Sequence, residues 1–147
     1  EQSIDRVYWV AVQGGPEEDE GRWEDTVYWD AKRKVLRRAI QGQRGGKEAT
    51  ARFRVVDRFV DVTILEVTLE TGKRNQIRFQ CQERGYPLCG ERLYVPREWD
   101  NLGLVCPRQA LHARKLAFDH PRSGKRVVVE SPLPEDLSAW MERLRRP

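Results

Sequence analysis

Apolar and polar positions change period several times along the chain, and each change marks an element. Residues 7–12 (Val-Tyr-Trp-Val-Ala-Val) are dense in β-branched and aromatic side chains. They predict a strand, closed by Gly14-Gly15-Pro16. Residues 16–22 read as an acidic loop, and 23–29 as a short amphipathic piece, strand or single turn. Gly42 to Gly46 is a loop bearing glycine and arginine. Residues 49–57 and 60–70 predict two strands with a tight connection at Arg58-Phe59. In the second, Thr63, Leu65, Val67 and Leu69 share one face by period two. Val62 and Ile64 occupy the other, so its first half is expected to be covered on both sides. Thr71-Gly72 ends it, and the spacing then predicts a helix over 75–84, with Ile77 and Cys81 four apart on one side. Gly85-Tyr86-Pro87 stops that helix, and residues 88–108 read mostly as loop. Residues 109–118 predict a strand, His120 to Gly124 a turn, and 125–130 its antiparallel return. Beyond Pro132 and Pro134, residues 135–146 predict a last helix, with acids at its start and Arg143, Arg145 and Arg146 at its end. The helix dipole favours that order of charge. Strands dominate, neighbours pair as hairpins and two short helices flank them, so the predicted class is α+β with a largely antiparallel sheet.

Length and composition narrow the class. A chain of 147 residues is a prior for one domain. Charged residues make up 34%, yet 39% are hydrophobic, enough to build a core. No stretch approaches the roughly 18 consecutive apolar residues of a membrane-spanning helix. No apolar segment follows a basic start, so no secretion signal is visible and no membrane partner is expected. Cys81, Cys89 and Cys106 make an odd count without a C-x-x-C pair. That argues against a disulfide framework and against a zinc site with His112. Buried free thiols and a cytoplasmic location are the expectation.

The net charge of +4 matters less than its distribution. Residues 1–30 hold nine acids and two bases, whereas residues 31–58 hold ten bases and two acids. Such a basic block, with Lys32, Arg33, Lys34, Arg37 and Arg38 at its head, suits a phosphate backbone. It equally suits a solvated surface whose charges meet the acidic block next door. Catalytic constellations of the common kinds are absent: there is no G-x-S-x-G, P-loop or G-x-G-x-x-G, and His112 and His120 are the only histidines. One segment stands apart, Leu69-Glu70-Thr71-Gly72-Lys73-Arg74-Asn75-Gln76-Ile77-Arg78. A strand ends in Thr-Gly and a helix opens at once among cations, which sets free backbone N–H groups beside positive charge. Arg78, on the side of Ile77 and Cys81, is expected to be partly buried and therefore to need a carboxylate or phosphate partner.

The stretch from Leu69 to Gly90 resembles the signature of the RluA family of RNA pseudouridine synthases. Glu70-Thr71-Gly72-Lys73 and Gln76-Ile77-Arg78 are followed by Gly85-Tyr86-Pro87-Leu88-Cys89-Gly90-Glu91-Arg92-Leu93-Tyr94. The resemblance continues at Gln109-Ala110-Leu111-His112-Ala113, at Leu116 to Pro121 and at Ser131 to Leu137. Near the start, Arg6-Val7-Tyr8 resembles the family's Lys/Arg-x-Tyr strand. The implied fold is the pseudouridine synthase catalytic domain, a largely antiparallel mixed sheet, present here in part. The implied activity is isomerisation of uridine to pseudouridine in structured RNA, rRNA or tRNA, without cofactor or metal.

By the same resemblance Tyr8 stacks on the target uracil and Arg78 pairs with the catalytic aspartate. Leu111 is a buried aliphatic residue near that pocket, and Lys73, Arg74, Asn75 and Gln76 lie near the RNA backbone. The family's Arg-Leu-Asp-x-x-(Thr/Ser)-(Ser/Ala)-Gly segment does not occur in these 147 residues. In the family it precedes the Lys/Arg-x-Tyr strand. Residues 1–147 are therefore expected to be the C-terminal portion of one catalytic domain, inactive alone, with the missing N-terminal portion as a partner. Glu91 replaces the usual aspartate after Gly90. A non-catalytic RNA-binding relative, and a protein-interaction domain steered by the acidic loop and basic run, are the competing readings.

Overall fold

The structure is a computed structural model, and it describes residues 4–40, 43–95 and 106–145. Seven strands and two helices follow in chain order: β1 (Asp5–Gln13), β2 (Glu20–Asp30), β3 (Val35–Arg38), β4 (Lys47–Arg58), β5 (Val62–Leu69), α1 (Gln76–Glu83), β6 (Leu111–Asp119), β7 (Arg126–Glu130) and α2 (Glu135–Arg145). The strands form one sheet in the order β3-β2-β4-β5-β1-β6-β7. Every pairing between them is antiparallel, so no mixed part occurs among the described residues.

β1 is an interior strand, between β5 and β6, and is covered on both faces, which explains its unbroken run of apolar residues. Val10 and Val12 face one apolar cluster with Leu65, Val67, Ile77 and Cys81, and this is the α1 side. Trp9 and Ala11 face a second cluster with Val62, Ile64, Leu137 and Trp140, the α2 side. The expected double cover of β5 holds: Val62 to Leu65 are all buried. Fully buried aliphatics such as Leu65 each contribute about 1.5–3 kcal/mol of burial. Trp23 stacks on Phe53 with ring centroids 5.2 Å apart, and its indole N–H donates to the Tyr86 hydroxyl at 3.2 Å. The chain leaving α1 is thereby held to β2. Cys81 and Cys89 are buried and Cys106 is partly so, as expected of structural thiols.

Two features depart from the pattern reading. β2 runs for 11 residues, taking in part of the predicted acidic loop. β3 was not anticipated: it is four residues long, and only Leu36 in it is buried. Its backbone is fixed from outside the sheet, because the Leu36 N–H donates to the Tyr94 hydroxyl at 2.7 Å. The two edges also differ. β3 carries Arg37 and Arg38, whereas β7 exposes Val128 and Val129.

The acidic and basic blocks do meet, in part. Of the ten bases in 31–58, Arg37, Arg38, Arg52, Arg54 and Arg58 pair with Asp30, Asp25, Glu70, Glu66 and Asp19. Lys32, Arg33, Lys34, Arg44 and Lys47 form no ion pair with a described residue. Among the described residues, the part of the basic block without an ion pair thus sits at the β2–β3 turn and around the start of β4. No helix among the described residues is long and apolar enough to cross a membrane.

Candidate active site

α1 begins where the backbone makes a left-handed turn. Asn75 has φ 59°, a conformation that asparagine tolerates better than most residues. The following Gln76 is only 2% exposed. Its Oε1 accepts from the Lys73 N–H and the Thr71 hydroxyl, both at 2.9 Å. Its amide donates to the Thr50 carbonyl and to Gln80. Gln76 is therefore turned into the sheet, away from the RNA-facing position expected of it. It also takes a backbone donor that the sequence left free for an anion. The physical reason is local: the side-chain amide finds partners for both its ends inside, the Thr71 hydroxyl and Lys73 N–H for its oxygen and the Thr50 carbonyl and Gln80 for its nitrogen.

Arg78 is partly buried, as expected, with 15% of its side chain exposed. Its partner is Glu91, whose side chain is wholly buried. Nε and Nη2 donate to the two carboxylate oxygens at 2.8 and 2.6 Å, a side-on fork. Nη1 donates to Asn75 Oδ1 at 3.3 Å, and the guanidinium lies 5.0 Å from the Tyr94 ring centroid. Glu91 Oε2 also accepts the backbone N–H groups of Arg92, Leu93 and Tyr94. Burial alone would push the Glu91 carboxyl up, but Arg78 and these amides outweigh it and hold it below the usual range. The Glu91 carboxylate in turn pushes Arg78 up. Gly90 makes this approach feasible. Its φ is +77°, and a Cβ there would collide with the Arg108 carbonyl. Of the five guanidinium N–H groups, the three bonds to Glu91 and Asn75 leave two without a partner among the described residues.

Tyr8 and Leu111 come together as expected. They lie on adjacent strands, where Tyr8 opposes Ala113 and Val10 opposes Leu111. Both are partly buried against the cluster that contains Ile77, so they share the α1 side of the sheet with Arg78. The β1–β6 register shifts between Val7 and Tyr8, leaving Arg114 without an opposite residue. Bulges of this kind aim side chains and recur beside functional sites. Arg6, two residues before Tyr8 on the same face, has a buried Nε without a hydrogen-bond partner among the described residues.

The cations expected to face RNA divide. Lys32, Arg33 and Lys34 are exposed in the β2–β3 turn, whose Asp30 carboxylate accepts the Lys32 and Arg33 N–H groups. Arg37 is tied to Asp30, and Arg38 to Asp25 and Glu83, so these two serve the fold. Lys73 and Arg74 line a cavity beside β2. Glu91 and Asn75 emerge as supporters of Arg78. The sequence signal for Glu91 was the need of a buried guanidinium for a carboxylate.

Asp25 supplies the second buried carboxylate, with 1% of its side chain exposed. It accepts from Arg84 at 2.8 Å, from Arg38 at 3.0 Å and from Gln80 at 3.0 Å, joining β2 to α1. Burial raises its pKa, and these donors more than reverse that. Both carboxylates therefore stabilise the fold above their ordinary values of 4.5 and 3.8, and this stability is lost as pH falls through their lower folded values. The protein should melt at a steady temperature from neutrality down to those ordinary values and fall steeply only below them. Thermal melts of wild type and Asp25→Asn/Glu91→Gln check it. A wild-type curve as flat as that of the double variant would refute the assignment.

The profile of the RNA pseudouridylate synthase family matches residues 1–83. The chain is 39% identical over 144 residues to an uncharacterized RNA pseudouridine synthase, YlyB, of Bacillus subtilis, covering 98% of this chain and 45% of the relative. It is 42% identical over 126 residues to ribosomal large subunit pseudouridine synthase D of Pseudomonas aeruginosa, covering 76% and 39%. The solved human RNA pseudouridylate synthase domain containing 1 superposes with a TM-score of 0.74 at 20% identity, over 93% of this chain and 58% of that one, and shares the fold. The chain spans about half the length of the curated relatives it matches. Its ordered motifs, its sheet and these matches agree: the chain belongs to the RNA pseudouridylate synthase family, in the RluA group.

Proposed function

We propose that the protein carrying this chain isomerises uridine to pseudouridine in structured RNA, rRNA or tRNA, in the cytoplasm. Residues 1–147 are the C-terminal portion of its catalytic domain, and the nucleophilic aspartate lies outside them. The reaction breaks the N1–C1′ bond, turns the uracil and joins C5 to C1′. The C5 proton leaves and N1 gains one, so no oxidant, metal or cofactor enters. The observation that carries this reading is Arg78. It is a buried guanidinium on the Tyr8 side of the sheet, fixed by Glu91 and Asn75 yet keeping two N–H groups for a further carboxylate.

Each residue then has a physical role. A uridine extruded from structured RNA loses a few kcal/mol of stacking, which an aromatic platform at Tyr8 offsets. Leu111 closes the apolar side of that platform. Arg78 keeps the incoming aspartate ionised and placed, since an opposite charge within about 4–6 Å favours the carboxylate. Lys32, Arg33 and Lys34 hold phosphates, with Asn75 at the helix start beside Lys73 and Arg74. Full-length protein incubated with RNA carrying C5-tritiated uridine is expected to release tritium, and residues 1–147 alone to release none. Release by residues 1–147 would place the nucleophile inside the chain. No release by the full-length protein on total rRNA or tRNA would leave only a binding role.

A further inference from the structure

A cavity of about 530 Å³ opens on the α1 side of β2, apart from Tyr8. It is formed where three stretches distant in sequence meet. β2 supplies Tyr28 and Trp29, the approach to β4 supplies Arg44 and Lys47, and the entry to α1 supplies Lys73 and Arg74. Among the described residues four cations line it and no carboxylate does. None of the four forms an ion pair with a described residue, although half of the basic block is paired within the chain. Like charges gathered in a concave site focus a positive field and are relieved by an anion. Trp29 is half-buried on an apolar base that includes Val27 and Leu36, and the Arg74 guanidinium stands 4.6 Å from its ring centroid. The same wall thus offers a flat π surface and positive charge.

We propose that this cavity binds one unpaired nucleotide of the RNA, outside the target uridine. Its base stacks at Trp29 and Arg74, and its phosphates lie against Arg44, Lys47 and Lys73. The chemistry favours RNA because an aromatic wall among unpaired cations suits both halves of a nucleotide. A cavity of this volume takes a base and its sugar. The site is distant from Tyr8 by construction of the sheet. β2 and β1 are separated by β4 and β5, three inter-strand steps of about 4.8 Å, or roughly 14 Å across the sheet. Trp29 lies eight residues along β2 from Gly21, the residue in register with Tyr8 through Val67 and Phe53. At about 3.3 Å per residue that adds roughly 26 Å along the strand. The base stacked at Trp29 is therefore set apart from Tyr8, while Lys73 and Arg74 carry the near wall of the cavity to the end of α1 that bears Arg78.

This inference rests on the reading of the protein as an RNA enzyme, and its test separates the two. Binding of a single-stranded uridine-rich RNA oligonucleotide to the full-length protein is measured by fluorescence anisotropy. Trp29→Ala should weaken it about tenfold, the scale of one lost stacking contact. Trp29→Phe should restore most of the affinity, and Arg44→Gln/Lys47→Gln should weaken binding and flatten its salt dependence. RNA should also quench tryptophan fluorescence less in Trp29→Phe than in wild type. If wild type binds RNA and the Trp29 variants bind and quench as wild type does, the cavity is not a nucleotide site. If wild type binds no RNA, the RNA-enzyme reading falls first. Should Trp29→Ala not fold by circular dichroism, Trp29→Phe quenching and the Arg44/Lys47 pair decide the matter alone.

Discussion

Arg78→Ala in the full-length protein should reduce pseudouridine formation by at least 10²–10³-fold, the scale of losing one preorganised electrostatic partner, while RNA affinity stays near wild type. The same change should also destabilise the fold. Glu91 is wholly buried and would be left without its guanidinium, a situation that costs about 3–5 kcal/mol. The three backbone N–H groups on Glu91 place the loss at the lower end of that range. The two effects separate in a double variant. Arg78→Met/Glu91→Gln removes both charges, so melting should recover toward wild type while turnover stays lost. Turnover by Arg78→Ala at the wild-type rate would remove Arg78 from the site. A double variant as unstable as the single one would show that the pair is not the stabilising unit. Arg78→Lys keeps the charge but not the side-on fork, and should fold with turnover well below wild type.

The second large effect is expected at Asp25. Asp25→Ala takes from the Arg84 guanidinium its carboxylate partner, leaving it the Gln80 carbonyl, and takes from the Gln80 amide one of its two acceptors. The expected loss is about 3–5 kcal/mol. For a domain of this size that corresponds to a fall in Tm of roughly 6–20 °C. Asp25→Asn keeps an oxygen acceptor and should lie between Ala and wild type. Turnover should fall with it, because α1 carries Arg78 and its C-terminal half is held to β2 through Asp25. Thermal melts and tritium release on the two variants provide the check. A Tm for Asp25→Ala within a degree or two of wild type would make this network peripheral.

What the sequence made legible follows from how local each signal was. β1, β4, β5, α1, β6, β7 and α2 each have a period carried by their own residues, and all were anticipated to within about three residues. β3 had no such signal. Val35 and Leu36 are two apolar residues among five cations, and what holds them is Tyr94, 58 positions away. The site divides along the same line. Arg78, Tyr8 and Leu111 could be picked out because motifs mark them. Glu91 could be asked for as a class of partner, but its place over α1 depends on the turn at Gly90. Gln76 was misjudged because its inward course is set by Thr50 and Thr71, which a helical wheel does not show. The Trp29 cavity has no linear signature, since three separate stretches build it.

The unequal edges of the sheet give it a direction of growth. At the β3 side a four-residue strand bearing Arg37 and Arg38 offers little length and much charge to an approaching backbone. At the β7 side Val128 and Val129 stand exposed on a strand of good β-forming residues. The apolar β7 edge is therefore the less guarded of the two against a pairing strand, and a backbone that docks there would lie beside β6, on the Tyr8 half of the sheet.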